Sequence, residues 1–127
     1  MPVTALLTGV FALMVCVLSV AVSLKRRELK VAYGDGGDRV LGARIRTHGN
    51  FIEYAPLALI ALAMIEVTDG PPRLVWVLAV AFLFARVLHI VGMLVTYRTP
   101  WARAAAMLLQ HAAFVVAGLW LLTHWKP

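Results

Sequence analysis

Polar and ionisable residues interrupt three apolar stretches of this 127-residue chain, and in each stretch they recur at helical spacing. Residues at i, i+3, i+4 and i+7 lie on one face of a helix. A charged side chain at the centre of a bilayer costs roughly 2.5 to 3.5 kcal/mol on insertion scales, so ionisable groups in a membrane span indicate a functional site. The three groups are Arg46, Asn50 and Glu53; Arg86 and His89; and Arg103, Met107 and Gln110.

Helix geometry predicts that the three groups meet in one pocket. At ~1.5 Å per residue, His89 and Gln110 both lie ~14 Å from the same ends of their spans. We expect the pocket in one half of a helix bundle, with Arg86 and Glu53 as a structural ion pair. The alternative is that Arg46, Glu53 and Arg86 form only a packing network of ion pairs. Since no pair of His, Asp or Glu residues has the i, i+4 spacing of a metal site, we predict no metal.

The composition indicates that these elements lie in a membrane. Hydrophobic residues make up 62% of the chain and charged residues 14%, with a mean hydropathy of +0.87. Soluble domains are roughly 45 to 50% apolar and about 25% charged, so a soluble domain is excluded, and so is a disordered chain. Because a span needs ~20 apolar residues, the sequence predicts a single-domain all-α bundle (residues 1–127) with transmembrane helices at about 3–24, 45–67, 73–97 and 101–125 and a loop at 25–44.

The basic residues predict the orientation of the bundle. The formal net charge is +6, and outside the spans most basic residues lie in the first and third connections, whereas Arg73 and Lys126 lie on the other side. Under the positive-inside rule the two basic connections face the cytoplasm and both termini face out. The charge therefore indicates a membrane surface or an anionic ligand as partner, and no nucleic acid.

Several motifs in the chain resemble the MAPEG family, the membrane-associated proteins in eicosanoid and glutathione metabolism. They are RTHGNFIEYAP at residues 46–56, ARVLH at 85–89 and YRTP at 97–100, followed by Gln110. The first is similar to the opening of the family's second helix and the second to its third-helix motif. The last two are similar to the third connection and the fourth helix. The resemblance covers essentially the whole chain, and the first motif looks most like the bacterial branch.

The resemblance implies a homotrimer of four-helix protomers, with twelve helices in all, in a bacterial inner membrane. Glutathione would be the co-substrate, bound between neighbouring subunits in an active site towards the cytoplasm, where its thiol becomes a thiolate. The implied function is that of an integral membrane glutathione-dependent transferase or peroxidase, which conjugates glutathione to lipophilic electrophiles or reduces lipid hydroperoxides among the membrane lipids.

The resemblance also implies roles for individual residues. Arg103 is our candidate for the catalytic residue that stabilises the thiolate. One or both of the arginines at the end of the first helix would reach glutathione in the adjacent protomer. The implied glutathione contacts are Arg26, Arg27, Arg46, Asn50, Glu53, His89 and Gln110.

Three positions depart from the family pattern, and one of them is Gly49, where some members have an arginine directly before the asparagine. Met93 stands where the eicosanoid-producing members have tyrosine, and Ala102 aligns with the fourth-helix arginine that stabilises the thiolate, with Arg103 one position on. A shift of one residue turns a helix by ~100°. These departures favour an alternative, a non-catalytic lipid-binding or scaffold protein on the same fold. A small four-span multidrug exporter is a further alternative, but such proteins rely on a glutamate in the first span, which is uncharged here.

Overall fold

The computed structural model describes residues 1–94 and 100–124, which form four helices. All four are long and apolar enough to cross a membrane. Even the shortest, with 23 residues, is ~35 Å long at the usual helical rise, against the ~30 Å of a hydrocarbon core. The predicted all-α bundle of four membrane spans is therefore confirmed. The helices are α1 (Pro2–Leu29), α2 (Arg39–Val67), α3 (Pro72–Leu94) and α4 (Pro100–Thr123).

Local sequence explains where the helices begin. Helices α1, α3 and α4 each begin at a proline, namely Pro2, Pro72 and Pro100. Proline suits the first helical position because its ring fixes φ near the helical value and because the N–H it lacks would have no partner there. Helix α2 begins instead after Asp38, whose Oδ1 accepts a hydrogen bond from the Leu41 N–H at 2.7 Å. This is a standard N-cap bond.

The first connection is shorter than the predicted loop at 25–44. Helix α1 continues to Leu29 and α2 begins at Arg39, so the connection comprises residues 30–38. Arg26 and Arg27 lie in the last turn of α1. Positive side chains stabilise a helix at this position, because the C-terminal end of the helix dipole is negative. Lys30 then ends the helix in the left-handed conformation, with φ of 55°. The predicted helix ends at residues 97 and 125 lie outside the described residues.

The helices run antiparallel in chain order. Helix α1 packs against α2 and α3, helix α2 packs also against α3 and α4, and α3 packs against α4. Near the end of α2, the Glu66 carboxylate accepts hydrogen bonds from the backbone N–H groups of Val3 at 3.2 Å and Thr4 at 2.8 Å. These bonds join the start of α1 to the end of α2 at one end of the bundle. The connection 30–38 and the start of α4 lie at the other end. We call that second end the loop end and the first the opposite end.

Apolar contacts fill the bundle away from the loop end. Leu62, Ile65 and Phe82 are fully buried, and the Phe11 and Phe51 rings meet edge to face with centroids 5.3 Å apart. Small residues let the helices approach closely, as is usual in membrane bundles. On α4 the buried residues are alanines apart from one glutamine, and they are Ala102, Ala106, Gln110, Ala113 and Ala117.

Candidate functional site

A cavity of about 340 Å³ opens at the loop end among α2, α3 and α4, and we call it the polar cavity. This volume lies at the lower end of the usual range for ligand pockets. Four of the predicted site residues line it. The described residues around it are Arg46, Asn50, Tyr54, His89, Met93, Pro100, Arg103, Ala104 and Met107.

The helical spacing of the polar residues explains this convergence. Arg46, Asn50 and Tyr54 follow one another at i, i+4 and i+8 along α2, so they form one wall. His89 comes from α3 and is 7% exposed, whereas Arg103 comes from α4 and is exposed. None of the described residues that line the polar cavity is acidic. The cavity therefore favours an anion, because its charged side chains are arginines.

Arg86 lies behind the polar cavity and joins the three helices that form it. Its side chain is 1% exposed. Its Nε donates to Gln110 Oε1 at 3.0 Å, and its Nη1 donates to Asn50 Oδ1 at 2.7 Å. Its guanidinium carbon also lies 5.1 Å from the centroid of the Tyr54 ring. One planar group thus fixes side chains from α2 and α4, and it holds the Asn50 carboxamide with the oxygen turned away from any ligand.

The predicted ion pair between Arg86 and Glu53 is wrong. Glu53 Oε1 lies 3.5 Å from Arg46 Nη1, and both side chains are largely exposed, at 49% and 65%. Arg46 and Glu53 lie seven residues apart on α2 with exposed side chains, whereas Arg86 is buried between helices. The carboxamide oxygens of Asn50 and Gln110 accept hydrogen bonds from two of its nitrogens without the desolvation that a buried carboxylate would require.

Gln110 supports the polar cavity from behind and does not line it. Its Oε1 accepts the hydrogen bond from Arg86 Nε, and its predicted contact with glutathione stays a prediction. Its side chain is fully buried, and its Nε2 has no hydrogen-bond partner among the described residues.

Arg26 and Arg27 lie at the end of α1 and are not among the residues that line the polar cavity. Arg26 Nη1 donates to the Ala32 carbonyl at 3.1 Å. Their predicted role concerns an adjacent protomer and stays a prediction.

A close approach of α3 and α4 turns Arg103 towards the polar cavity. A Cβ at Gly92 would lie 3.0 Å from Arg103 Cγ, 3.3 Å from Arg103 N and 3.4 Å from Ala102 Cβ. Glycine thus lets the two helices approach closely here, since any side chain would require its neighbours to shift by a few tenths of an ångström. Ala102 is 5% exposed and fills the contact with α3, so the next residue, Arg103, points to the cavity, with Nη1 3.5 Å from Met93 Sδ.

The comparisons with known proteins agree with this architecture. The family model of the MAPEG family matches residues 4–123. The chain belongs to the MAPEG family. Its relatives include the inner membrane protein YecN of Escherichia coli, in strain K12 and in strain CFT073 of serotype O6:H1. Each is 34% identical over 90 residues, which are 71% of this chain and 69% of the relative. No solved structure is significantly similar to the chain.

The resemblance to the MAPEG family noted from the motifs is thus confirmed, but one residue of the site was missed. Tyr54 was not among the predicted site residues. In this MAPEG chain it lines the polar cavity and lies against Arg86. Its position four residues after Asn50 and eight after Arg46 is the signal that identifies it, since that spacing continues the polar face of α2.

Proposed function

We propose that this MAPEG protein is a glutathione-dependent transferase or peroxidase, which conjugates glutathione to lipophilic electrophiles or reduces lipid hydroperoxides. One observation carries the proposal. Side chains from three helices, namely Arg46 and Asn50, His89, and Arg103, converge on one cavity in which no described lining residue is acidic. Such a cavity suits a small anionic ligand better than it suits a lipid tail.

The charges of glutathione fit this arrangement. Glutathione carries two carboxylates and one ammonium group, and arginine binds carboxylates through paired hydrogen bonds. A thiol loses its proton more readily beside cationic groups. In our proposal Arg103 stabilises the thiolate, while Arg46 and Asn50 bind a carboxylate. Arg86 acts as a positioning residue, because it holds Asn50 Oδ1 at 2.7 Å. Asn50 Nδ2 donates one hydrogen to Met107 Sδ at 3.9 Å, and its second hydrogen would serve the ligand.

The same reasoning supports a homotrimer in the bacterial inner membrane. Arg46, Glu53 and Arg103 are exposed in a single chain although they lie on membrane-spanning helices. Ionisable groups in a span normally face protein or a water-filled cavity, so neighbouring subunits would cover them. The relative's name as an inner membrane protein supports the location. In the orientation that the positive-inside rule predicts, the polar cavity would face the cytoplasm, where a glutathione pool is present.

Three measurements on the purified protein in detergent test the proposed activity. We expect glutathione to bind in calorimetry and to be conjugated to an electrophilic aryl halide, with the thioether followed by absorbance. Arg103→Ala should abolish the thiolate absorbance that forms on mixing with glutathione, and Arg73→Ala should not. Arg73 is the matched control because it removes an arginine from the opposite end of the same bundle.

If wild-type protein neither binds glutathione nor turns over, the proposal is wrong. If the thiolate forms equally well in the Arg103→Ala variant, the role passes to another group, with His89 as the first candidate.

A non-catalytic lipid-binding protein is the second candidate. One contact favours it: the Arg103 guanidinium lies 3.5 Å from the Met93 thioether, at the position where eicosanoid-producing relatives have tyrosine. An apolar groove of about 260 Å³ between α1 and α2, which includes Phe11 and Phe51, would take an acyl chain. This candidate predicts that lipid copurifies with the protein and that mixing with glutathione produces no thiolate.

A further inference from the structure

A second cavity lies beside the polar cavity, against the connection between α1 and α2. Its volume is about 430 Å³, and we call it the loop cavity. The residues that line it are Gly34, Asp35, Gly42, Ile45, Arg46 and Gly49. Arg46 lines both cavities, so the two are neighbours, and one extended ligand could reach from one into the other.

The turn over the loop cavity has a defined conformation. Gly34, Gly36 and Gly37 all have positive φ, at 64°, 58° and 78°, a region that residues with a side chain rarely adopt. Asp35 Oδ1 accepts from the Gly37 N–H at 3.0 Å, and the Asp35 carbonyl accepts from the Asp38 N–H at 2.9 Å. These bonds hold the Asp35 side chain over helix α2.

The floor of the loop cavity is a face of α2 with little side-chain bulk. Gly42 and Gly49 lie two turns apart on the same face, with Arg46 between them. A Cβ at Gly42 would lie 3.1 Å from Asp35 Oδ2, so the carboxylate sits directly on the helix backbone. Asp35 and Arg46 thus present one negative and one positive group to the same cavity.

A cavity with this pair of charges is complementary to a zwitterion. An ammonium group binds best to a carboxylate, and a carboxylate binds best to a guanidinium. Glu53 is less suitable for the ammonium group, because its carboxylate already lies 3.5 Å from Arg46 and it is not among the described residues that line either cavity.

We propose that the loop cavity binds a zwitterionic α-amino-acid head group, with the ammonium group on Asp35 and the carboxylate on Arg46. The inference rests on the proposed function in one respect: the head group would be the γ-glutamyl end of glutathione. The cysteine thiol then lies in the polar cavity, and Arg46 contacts the ligand between the two.

The test compares two charge-removing variants of the same turn and two ligands. Asp35→Asn keeps an oxygen for the Gly37 N–H and removes the charge in the loop cavity. Asp38→Asn is the matched control, because asparagine is as good an N-cap as aspartate and Asp38 does not line the cavity. The ligands are glutathione and its analogue without the α-amino group, glutaryl-cysteinyl-glycine, both measured by calorimetry at constant ionic strength.

We expect Asp35→Asn to weaken glutathione binding by about tenfold to a hundredfold, the loss of one charge-assisted hydrogen bond. The analogue should bind the wild type and Asp35→Asn equally well. Asp38→Asn should change the affinities for both ligands to the same small extent. If Asp35→Asn weakens both ligands equally, or neither, the loop cavity is not the subsite, while the proposed function stands. If wild-type protein binds neither ligand, both proposals are wrong.

A second variant tests the subsite without removing a charge. Gly42→Ala adds a methyl group 3.1 Å from Asp35 Oδ2 and should displace the carboxylate. It should weaken the binding of glutathione several-fold and leave the binding of the analogue unchanged. The proposal is overturned if Gly42→Ala weakens both ligands equally or weakens neither, because the position of the Asp35 carboxylate would then have no effect on recognition of the α-amino group.

Discussion

Replacing Arg86 by methionine should break the contact that joins α2, α3 and α4 behind the polar cavity. Arg86 donates from two nitrogens, to Gln110 Oε1 at 3.0 Å and to Asn50 Oδ1 at 2.7 Å. Methionine has a similar unbranched shape but donates no hydrogen bond. In the Arg86→Met variant, the buried carboxamide oxygens of Asn50 and Gln110 both lose this hydrogen-bond donor.

The expected cost follows from these two bonds. A hydrogen bond to a charged group contributes about 1.5 to 3 kcal/mol to stability, and each buried acceptor left unpaired costs about 1 to 3 kcal/mol. Against this, the variant no longer buries a guanidinium, which by itself costs several kcal/mol. The change in the free energy of unfolding of Arg86→Met alone is therefore a difference between terms of similar size.

A double-mutant cycle removes this ambiguity, because the desolvation of the guanidinium is lost equally with either residue at position 110. Gln110→Met removes the partner amide, whose Nε2 has no hydrogen-bond partner among the described residues. We expect a coupling energy between Arg86→Met and Gln110→Met of about 1.5 to 3 kcal/mol, the value of the one bond that both variants remove. Within an Arg86→Met background, Gln110→Met should be neutral or stabilising.

The assay is reversible unfolding of the purified protein in mixed detergent micelles, followed by circular dichroism. A control cycle pairs Arg86→Met with Glu66→Gln at the opposite end of the bundle, where the effects should add to within about 0.5 kcal/mol. If the Arg86 and Gln110 variants are also additive within that limit, the hydrogen bond between Arg86 and Gln110 does not join α3 and α4.

Three further substitutions test other parts of the fold. Glu66→Ala should lower the free energy of unfolding by about 1.5 to 3 kcal/mol, because two N–H groups at the start of α1 lose a charged acceptor. An unchanged free energy of unfolding would show that the Thr4 contact at 2.8 Å contributes nothing to stability. Gly92→Ala should lower the rate of thiolate formation while the helix content stays constant, since the new Cβ would lie 3.0 Å from Arg103 Cγ; an unchanged rate would contradict that reasoning. Gly36→Ala should lower the free energy of unfolding, measured by thermal denaturation, by about 1 to 2 kcal/mol, because alanine is strained at φ of 58°. Equal stability of variant and wild type would mean that the turn adopts another conformation.

The fold could be predicted because the bilayer leaves few choices. A span must satisfy its own backbone hydrogen bonds, so a long apolar stretch in a chain of this composition is a helix. The beginnings of α3 and α4 are equally direct, since Pro72 and Pro100 suit the first helical turn. The loop was predicted too long because polar residues alone do not end a helix. Arg26 and Arg27 are polar, but they stabilise the last turn of α1 and so belong to the helix.

The polar cavity could be predicted in part. The spacing of Arg46 and Asn50 is a property of one helix, and the wall that they form follows from the sequence alone. The partner of Arg86 depends instead on how α3 and α4 are rotated and how closely they approach, which the contact between Gly92 and Ala102 decides. No periodic pattern within a single helix contains this information, and the ion pair with Glu53 was predicted wrongly for that reason.

The buried charge of Arg86 links the stability of the bundle to its ligand. Every hydrogen-bond partner that the structure describes for this guanidinium is neutral, and a buried cation without a counter-charge is costly. Asn50 and Met107 contact Arg86 and also line the polar cavity. An anion in the cavity would thus lie one side chain away from the buried cation, in a region where low polarity strengthens their attraction. The counter-charge that sequence reasoning assigned to Glu53 is therefore one that a bound anion could supply.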